Sequence, residues 1–229
     1  MVNRRSVLGS ITAFAMVPLA GCQEELEELV PDMTDLDADA EPARIAESAL
    51  ESYDYVEVDE RKHRIEDEFE IGGETQEVKA GNWITSYLPS EIGDDIDDLE
   101  EFPEELEESG GMLGLLSTPD LTVAGQTVNP IEYFDDEEII TAVDDEVDSM
   151  AISNVEQVDE TEITILSSDV DVGIFTATLE REDETIEGYV YLGKVEHEDD
   201  MIVPVGAHTE AADAKDELLG LIEAIEHPA

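Results

Sequence analysis

Acidic side chains outnumber basic ones more than sixfold in this chain: 63 Asp and Glu stand against 10 Lys and Arg, for a formal net charge of −53. Such a chain repels itself in every compact state. It folds only if its apolar residues are regularly spaced and its surroundings screen the charge. The hydrophobic content is 41%, too high for the hydrophobe-poor composition of a disordered acidic chain. In molar salt the Debye length shrinks to ~3 Å, and carboxylates keep a surface hydrated. Lysine is scarce, at Lys62, Lys79, Lys194 and Lys215. The expectation is a globular protein of a halophile, most simply an archaeon, that unfolds when salt is withdrawn and collects cations without a shaped site. Nucleic acid is excluded as a partner, because phosphate needs Lys and Arg. The one basic run, Arg61-Lys62-His63-Arg64, is flanked by acids and reads as a paired, exposed strand face rather than an anion site.

The N-terminus supplies an address. Arg4 and Arg5 precede an apolar run ending in Leu19-Ala20-Gly21-Cys22. A twin-arginine pair before an apolar segment is the layout of a Tat-type export signal. The run Val7–Ala20 is about 14 residues long, short of the roughly 20 that a spanning helix needs. The Cys22 context resembles the lipobox of exported lipoproteins, in which cleavage leaves the cysteine first and its sulfur takes a lipid. A thiol is required there because the thiolate is the nucleophile. The competing reading, an incidental cysteine after an ordinary secretory signal, has against it that Cys22 is the single cysteine and sits where a lipobox requires one. The expected location is the outer face of the cytoplasmic membrane, with Cys22 as the anchor. With no disulfide possible within one chain, stability must come from the core.

The rest of the chain divides into an acidic tether and one domain. Residues 22–41 form the tether, rich in Asp and Glu and extended by like charge. Asp35, Asp37 and Asp39 have the spacing of a calcium loop, but Ala40 and Ala46 stand where that loop needs Gly and Glu. Residues 42–229 are the single domain, with 89–111 an acidic insertion. A short helix is expected from Pro42, then a hairpin of Tyr53–Ile71 and Thr75–Leu88 turning at Gly72-Gly73. Within the insertion, Ile96, Leu99, Phe102 and Leu106 suggest a helix broken at Pro103. Ser117–Asp120 reads as a turn, and Leu121–Val128 as a small hairpin closing at Asn129-Pro130. Asp135 with Glu138 marks a capped helix carrying Ile139, Ile140, Val143 and Val147. A meander follows: Ile152–Val158, a turn at Asp159-Glu160, Thr161–Ser168, Val170–Leu179, Ile186–Val195 and Met201–Ala207. Thr209 is expected to cap a closing helix with Leu218, Leu221 and Ile222 inward. The fold class is α+β, a mainly antiparallel sheet (hairpin plus C-terminal meander) with helices packed on it.

Reaction chemistry is missing from the sequence. It has no nucleophile elbow, zinc-protease motif, phosphate loop or dinucleotide fingerprint. The histidines, His63, His197, His208 and His227, show no metal-ligand spacing, and His197 between two glutamates reads as a charged-strand residue in a turn rather than a ligand. No catalytic, cofactor or metal residue is named.

Asn3-Arg4-Arg5, Ala20-Gly21-Cys22, Gly81-Asn82-Trp83-Ile84, Leu116-Ser117-Thr118-Pro119, Asn129-Pro130 and Val203-Pro204-Val205-Gly206-Ala207 together resemble an uncharacterised family of haloarchaeal twin-arginine lipoproteins. That resemblance carries roles only for Arg4, Arg5 and Cys22. The meander with its closing helix is similar to the Mog1/PsbP-like sandwich, a fold used for docking. The expected function is a non-catalytic, membrane-tethered interaction or structural domain that meets a membrane or cell-surface protein. The alternative is a small-ligand-binding lipoprotein accessory to a transporter, with a pocket near Trp83, Tyr87, Tyr189 or Tyr191.

Overall fold

The structure is a computed structural model that describes residues 37–71, 74–93, 110–123, 126–142, 151–181 and 184–228. One sheet organises them. Its strands are β1 (Asp37–Asp39), β3 (Tyr55–Ile71), β4 (Glu74–Pro89), β5 (Met112–Pro119), β8 (Ala151–Ile165), β9 (Ser168–Arg181), β10 (Glu184–Leu192), β11 (Val195–His197) and β12 (Asp200–Thr209). The order is β1-β4-β5-β12-β10-β9-β8, with β3 paired to β4 and β11 to β12. The β1–β4 pair is parallel; the other ladders are antiparallel. Two short pairs lie apart from it: β2 (Arg44–Ile45) with β13 (Ile225–Glu226), and β6 (Leu121–Val123) with β7 (Gln126–Val128). The helices are α1 (Glu47–Tyr53), α2 (Ser90–Gly93), α3 (Asp136–Ala142) and α4 (Lys215–Glu223).

Strand alternation sends neighbours to opposite faces. Ile202 joins one core with Tyr87, Leu113, Val172, Ile174 and Tyr191, closed by Leu218, Leu221 and Ile222 of α4. Met201 and Val203 join the other with Phe175, Val190 and Leu192, closed by Ile139 and Ile140 of α3. Helices thus cover both faces of a mostly antiparallel sheet, and the broad α+β class holds. The long hairpin forms as its alternation implies. The α3 start is a reciprocal cap: the Glu138 N–H donates to Asp135 (2.8 Å) and the Asp135 N–H to Glu138 (3.1 Å).

Five local expectations are corrected. Residues 37–41 are not tether: β1 lies in the sheet and Ala40 is buried. Pro42 does not start a helix; α1 begins at Glu47, because Arg44 and Ile45 pair with β13. Ser117–Asp120 is no turn, since β5 runs through Pro119 against β12. Polar residues at 117 and 118 suggested a surface bend, but both are buried where strands flank them. Asp159-Glu160 lies inside β8, next to one of two register irregularities, and the turn falls at Leu166-Ser167. Those two residues have φ of 50° and 70°, the successive left-handed pair of a tight hairpin, without the Gly or Asn that would announce it. Ile165 is fully buried, so packing sets the register there. Finally, Thr209 ends β12, and its Oγ1 accepts from Ala212 (3.2 Å) rather than from the helix.

Residues 1–36, the Gly72-Gly73 turn, the 94–109 helix, Ala124-Gly125, Val143 and Val147 lie outside the described residues.

Candidate functional site

The segment from Asp37 to Ile45, here called the strap, crosses the α4 face of the sheet. Its backbone polar groups need partners once buried, and three hydroxyls supply them. The Ala43 N–H donates to Ser117 Oγ (3.0 Å), Thr85 Oγ1 donates to the Ala43 carbonyl (3.3 Å), and the Ile45 N–H donates to the Tyr87 hydroxyl (3.1 Å). At its outer end Asp37 pairs with Arg64, and Asp39 with Lys62 (2.9 Å). Asp39 reaches Lys62 across Gly81, where any Cβ would collide with its carboxylate. The basic run is therefore a paired strand face, as its flanking acids imply. Two of the three aspartates with calcium-loop spacing serve this pairing.

A histidine clasp closes the strap's middle. Asp200, 7% exposed, accepts from the Glu41 N–H (2.9 Å) and from His227 Nε2 (3.1 Å). His227 Nε2 also lies 3.1 Å from the Glu41 carbonyl. Facing two acceptors, that nitrogen carries a hydrogen. His227 Nδ1 meets His197 Nδ1 at 3.0 Å, with the rings edge to face. Burial pushes the Asp200 carboxyl above its usual range, opposed by the Glu41 N–H and His227 and reinforced by Asp120. Asp120 itself accepts from Asn129 Nδ2 (3.0 Å). The clasp joins β11, β12, the strap and the C-terminal residues that follow β13. Sequence spacing hid it, because 30 residues separate the two histidines and only the β13–β2 pairing delivers the second. His197 ends β11 at the turn into β12, as expected of a strand residue there, and is also half of a pair.

The aromatic residues proposed for a ligand pocket do not converge on one. The Tyr87 hydroxyl holds the strap. Tyr191 bonds to His208 Nε2 (2.9 Å), whose Nδ1 lies 2.7 Å from the Thr209 carbonyl. That carbonyl fixes the hydrogen on Nδ1, so Tyr191 donates. Tyr189 leans on the same ring at 5.4 Å, and Lys62 sits 5.7 Å over Trp83. Burial raises Tyr55, Tyr87 and Tyr191 to about 12. An open groove of about 750 Å³ runs past Pro42, Arg44, Leu166 and His227. Among the described residues no three His, Cys, Asp or Glu side chains gather to hold a metal ion, and no helix is long and apolar enough to cross a membrane. Arg4, Arg5 and Cys22 lie outside the described residues.

A family profile described as a domain of unknown function, DUF6517, matches residues 42–226, more than three quarters of the chain. The chain belongs to the DUF6517 family. No curated protein matches it. The DUF6517 match takes in β2 and β13 and stops one residue short of both Glu41 and His227, so the clasp straddles its two ends.

Proposed function

We propose that this DUF6517 protein is a non-catalytic docking domain adapted to high salt, exported by the twin-arginine route and held outside the cytoplasmic membrane by a lipid on Cys22. One observation supports this over a small-ligand site: Tyr87 and Tyr191, two of the four aromatic residues near which a pocket was expected, spend their hydroxyls on internal hydrogen bonds. The acidic surface is the part of the domain offered to a partner. Helices on both faces of the sheet suit a sandwich of the Mog1/PsbP kind, which is fold analogy and supports docking only by likeness. The anchor and salt adaptation rest on Arg4, Arg5, Cys22 and the charge of −53.

The test is crosslinking on intact cells in native salt, then mass spectrometry of the recovered protein, with Cys22→Ala as control. The expected result is a lipid-modified N-terminal Cys22 and one reproducible protein partner, reduced in the released variant. An unmodified cysteine would remove the anchor. A lipidated protein with no partner would remove the docking reading.

A further inference from the structure

We propose that the His197–His227 pair is a proton-operated latch on the strap, closed while the two rings share a single hydrogen between their Nδ1 atoms and opened when each carries its own. His227 Nε2 keeps its hydrogen for the Glu41 carbonyl and Asp200. The contact at 3.0 Å between the two Nδ1 atoms then needs one nitrogen as donor and the other as acceptor. With both rings neutral, His197 Nδ1–H donates to His227 Nδ1. One added proton on the pair keeps that bond and gives it charge assistance. A second leaves two N–H groups aimed at each other across the same gap, on two cations, and the bond becomes a repulsion. An imidazole ordinarily changes charge between pH 5 and 8, which sets the range over which the latch is tested.

The charged groups near the pair are Asp200 on β12, Asp120 just past β5, Glu41 of the strap, and Glu223 and Glu226, which line the same groove as His227; Glu196 and Glu198 flank His197 in sequence. Asp200 holds His227 in place and steadies its first positive charge. Its carboxylate meets His227 at Nε2, not at the Nδ1 atoms where the two rings face each other. Arg44, opposite Glu226 in the β2–β13 pair, is committed to Glu60 (2.8 Å). Among the described residues no third His, Cys, Asp or Glu joins the pair to form a metal-ligand set.

Opening the latch pushes His227 away from β11 and weakens its bond to the Glu41 carbonyl, so residues 41–46 and the β2–β13 pair loosen first while β1 stays in its ladder with β4. The latch itself stands without the anchor, so its test uses full-length Cys22→Ala protein in molar salt.

The measurement is amide hydrogen exchange by mass spectrometry from pH 8 to pH 5, expressed as protection factors corrected for intrinsic rates. Peptides covering 40–46 and 224–228 should lose roughly tenfold protection per pH unit below a midpoint, the slope of one linked proton. Core peptides of β9 and β12 should hold theirs. In His197→Asn the side chain can donate to or accept from His227 without titrating, and the step should vanish. A wild type with no step, a step shared by the core strands, or an unchanged step in His197→Asn would each overturn the latch. His227→Asn, if it folds, should leave the strap poorly protected at every pH.

Discussion

The C-terminal meander and the strap cross the same sheet and are held by different forces. In the meander, β9, β10 and β12 alternate apolar residues into two cores, so each strand is fixed from both faces. The strap buries only Ala40, Ala43 and Ile45. Its place is set instead by the short β1–β4 and β2–β13 ladders at its two ends, by single hydrogen bonds to Ser117, Thr85, Tyr87 and Asp200 between them, and by ion pairs at its rim. Apolar burial is non-directional and is favoured by excluded salts. A handful of directed polar bonds responds to pH and to the loss of any one partner. The strap is therefore expected to open before the meander does.

Breaking the meander should cost most. Leu221→Ala removes a fully buried side chain of α4 and should destabilise by about 2–5 kcal/mol, read by thermal unfolding in molar salt, with little change in the loss between pH 6 and 8. Tyr87→Phe leaves the Ile45 N–H without its acceptor and should cost about 1–3 kcal/mol. Its signature is selective: amide exchange should rise in 43–46 before it rises in β10. Equal exposure of both regions would mean that the strap and the core unfold as one unit, and the contrast drawn above would fail.

Alkaline titration sharpens the contrast from the other side. Tyr55, Tyr87 and Tyr191 keep their protons to about 12 in the folded protein, whereas exposed phenols lose theirs near 10. The stability they contribute is complete below pH ~10 and is lost as pH rises toward about 12. Tyrosinate absorbance should therefore appear in two steps, the second coinciding with loss of near-ultraviolet circular dichroism. A single smooth titration near 10 without unfolding would show these hydroxyls to be accessible. The smallest effect belongs to Lys62→Ala. Lys62 and Asp39 are both partly exposed, so the loss should be about 0–1 kcal/mol and should shrink in molar salt.

Much of the meander was legible because its periodicity is strong: Tyr189 and Tyr191 against Val190 and Leu192 already placed β10 between two faces. The Asp135–Glu138 cap was legible because both partners sit three residues apart. The strap was not. Asp37 to Glu41 continues the acidic composition of the preceding residues, and nothing in that run says that Asp39 will pass over Gly81 or that Glu41 will meet Asp200, which lies 159 positions away.

The sequence by itself determined the charge regime, the export and lipidation signals it proposes, the α+β class and the two-faced strands, since each is written in composition or in short-range spacing. Only the tertiary structure decided that Asp37–Asp39 belong to the sheet, which histidines meet, and that Tyr87 and Tyr191 serve the interior. Those outcomes depend on contacts between residues far apart in the chain, and such contacts form only when β12 and β13 bring the C-terminal half back to the strap.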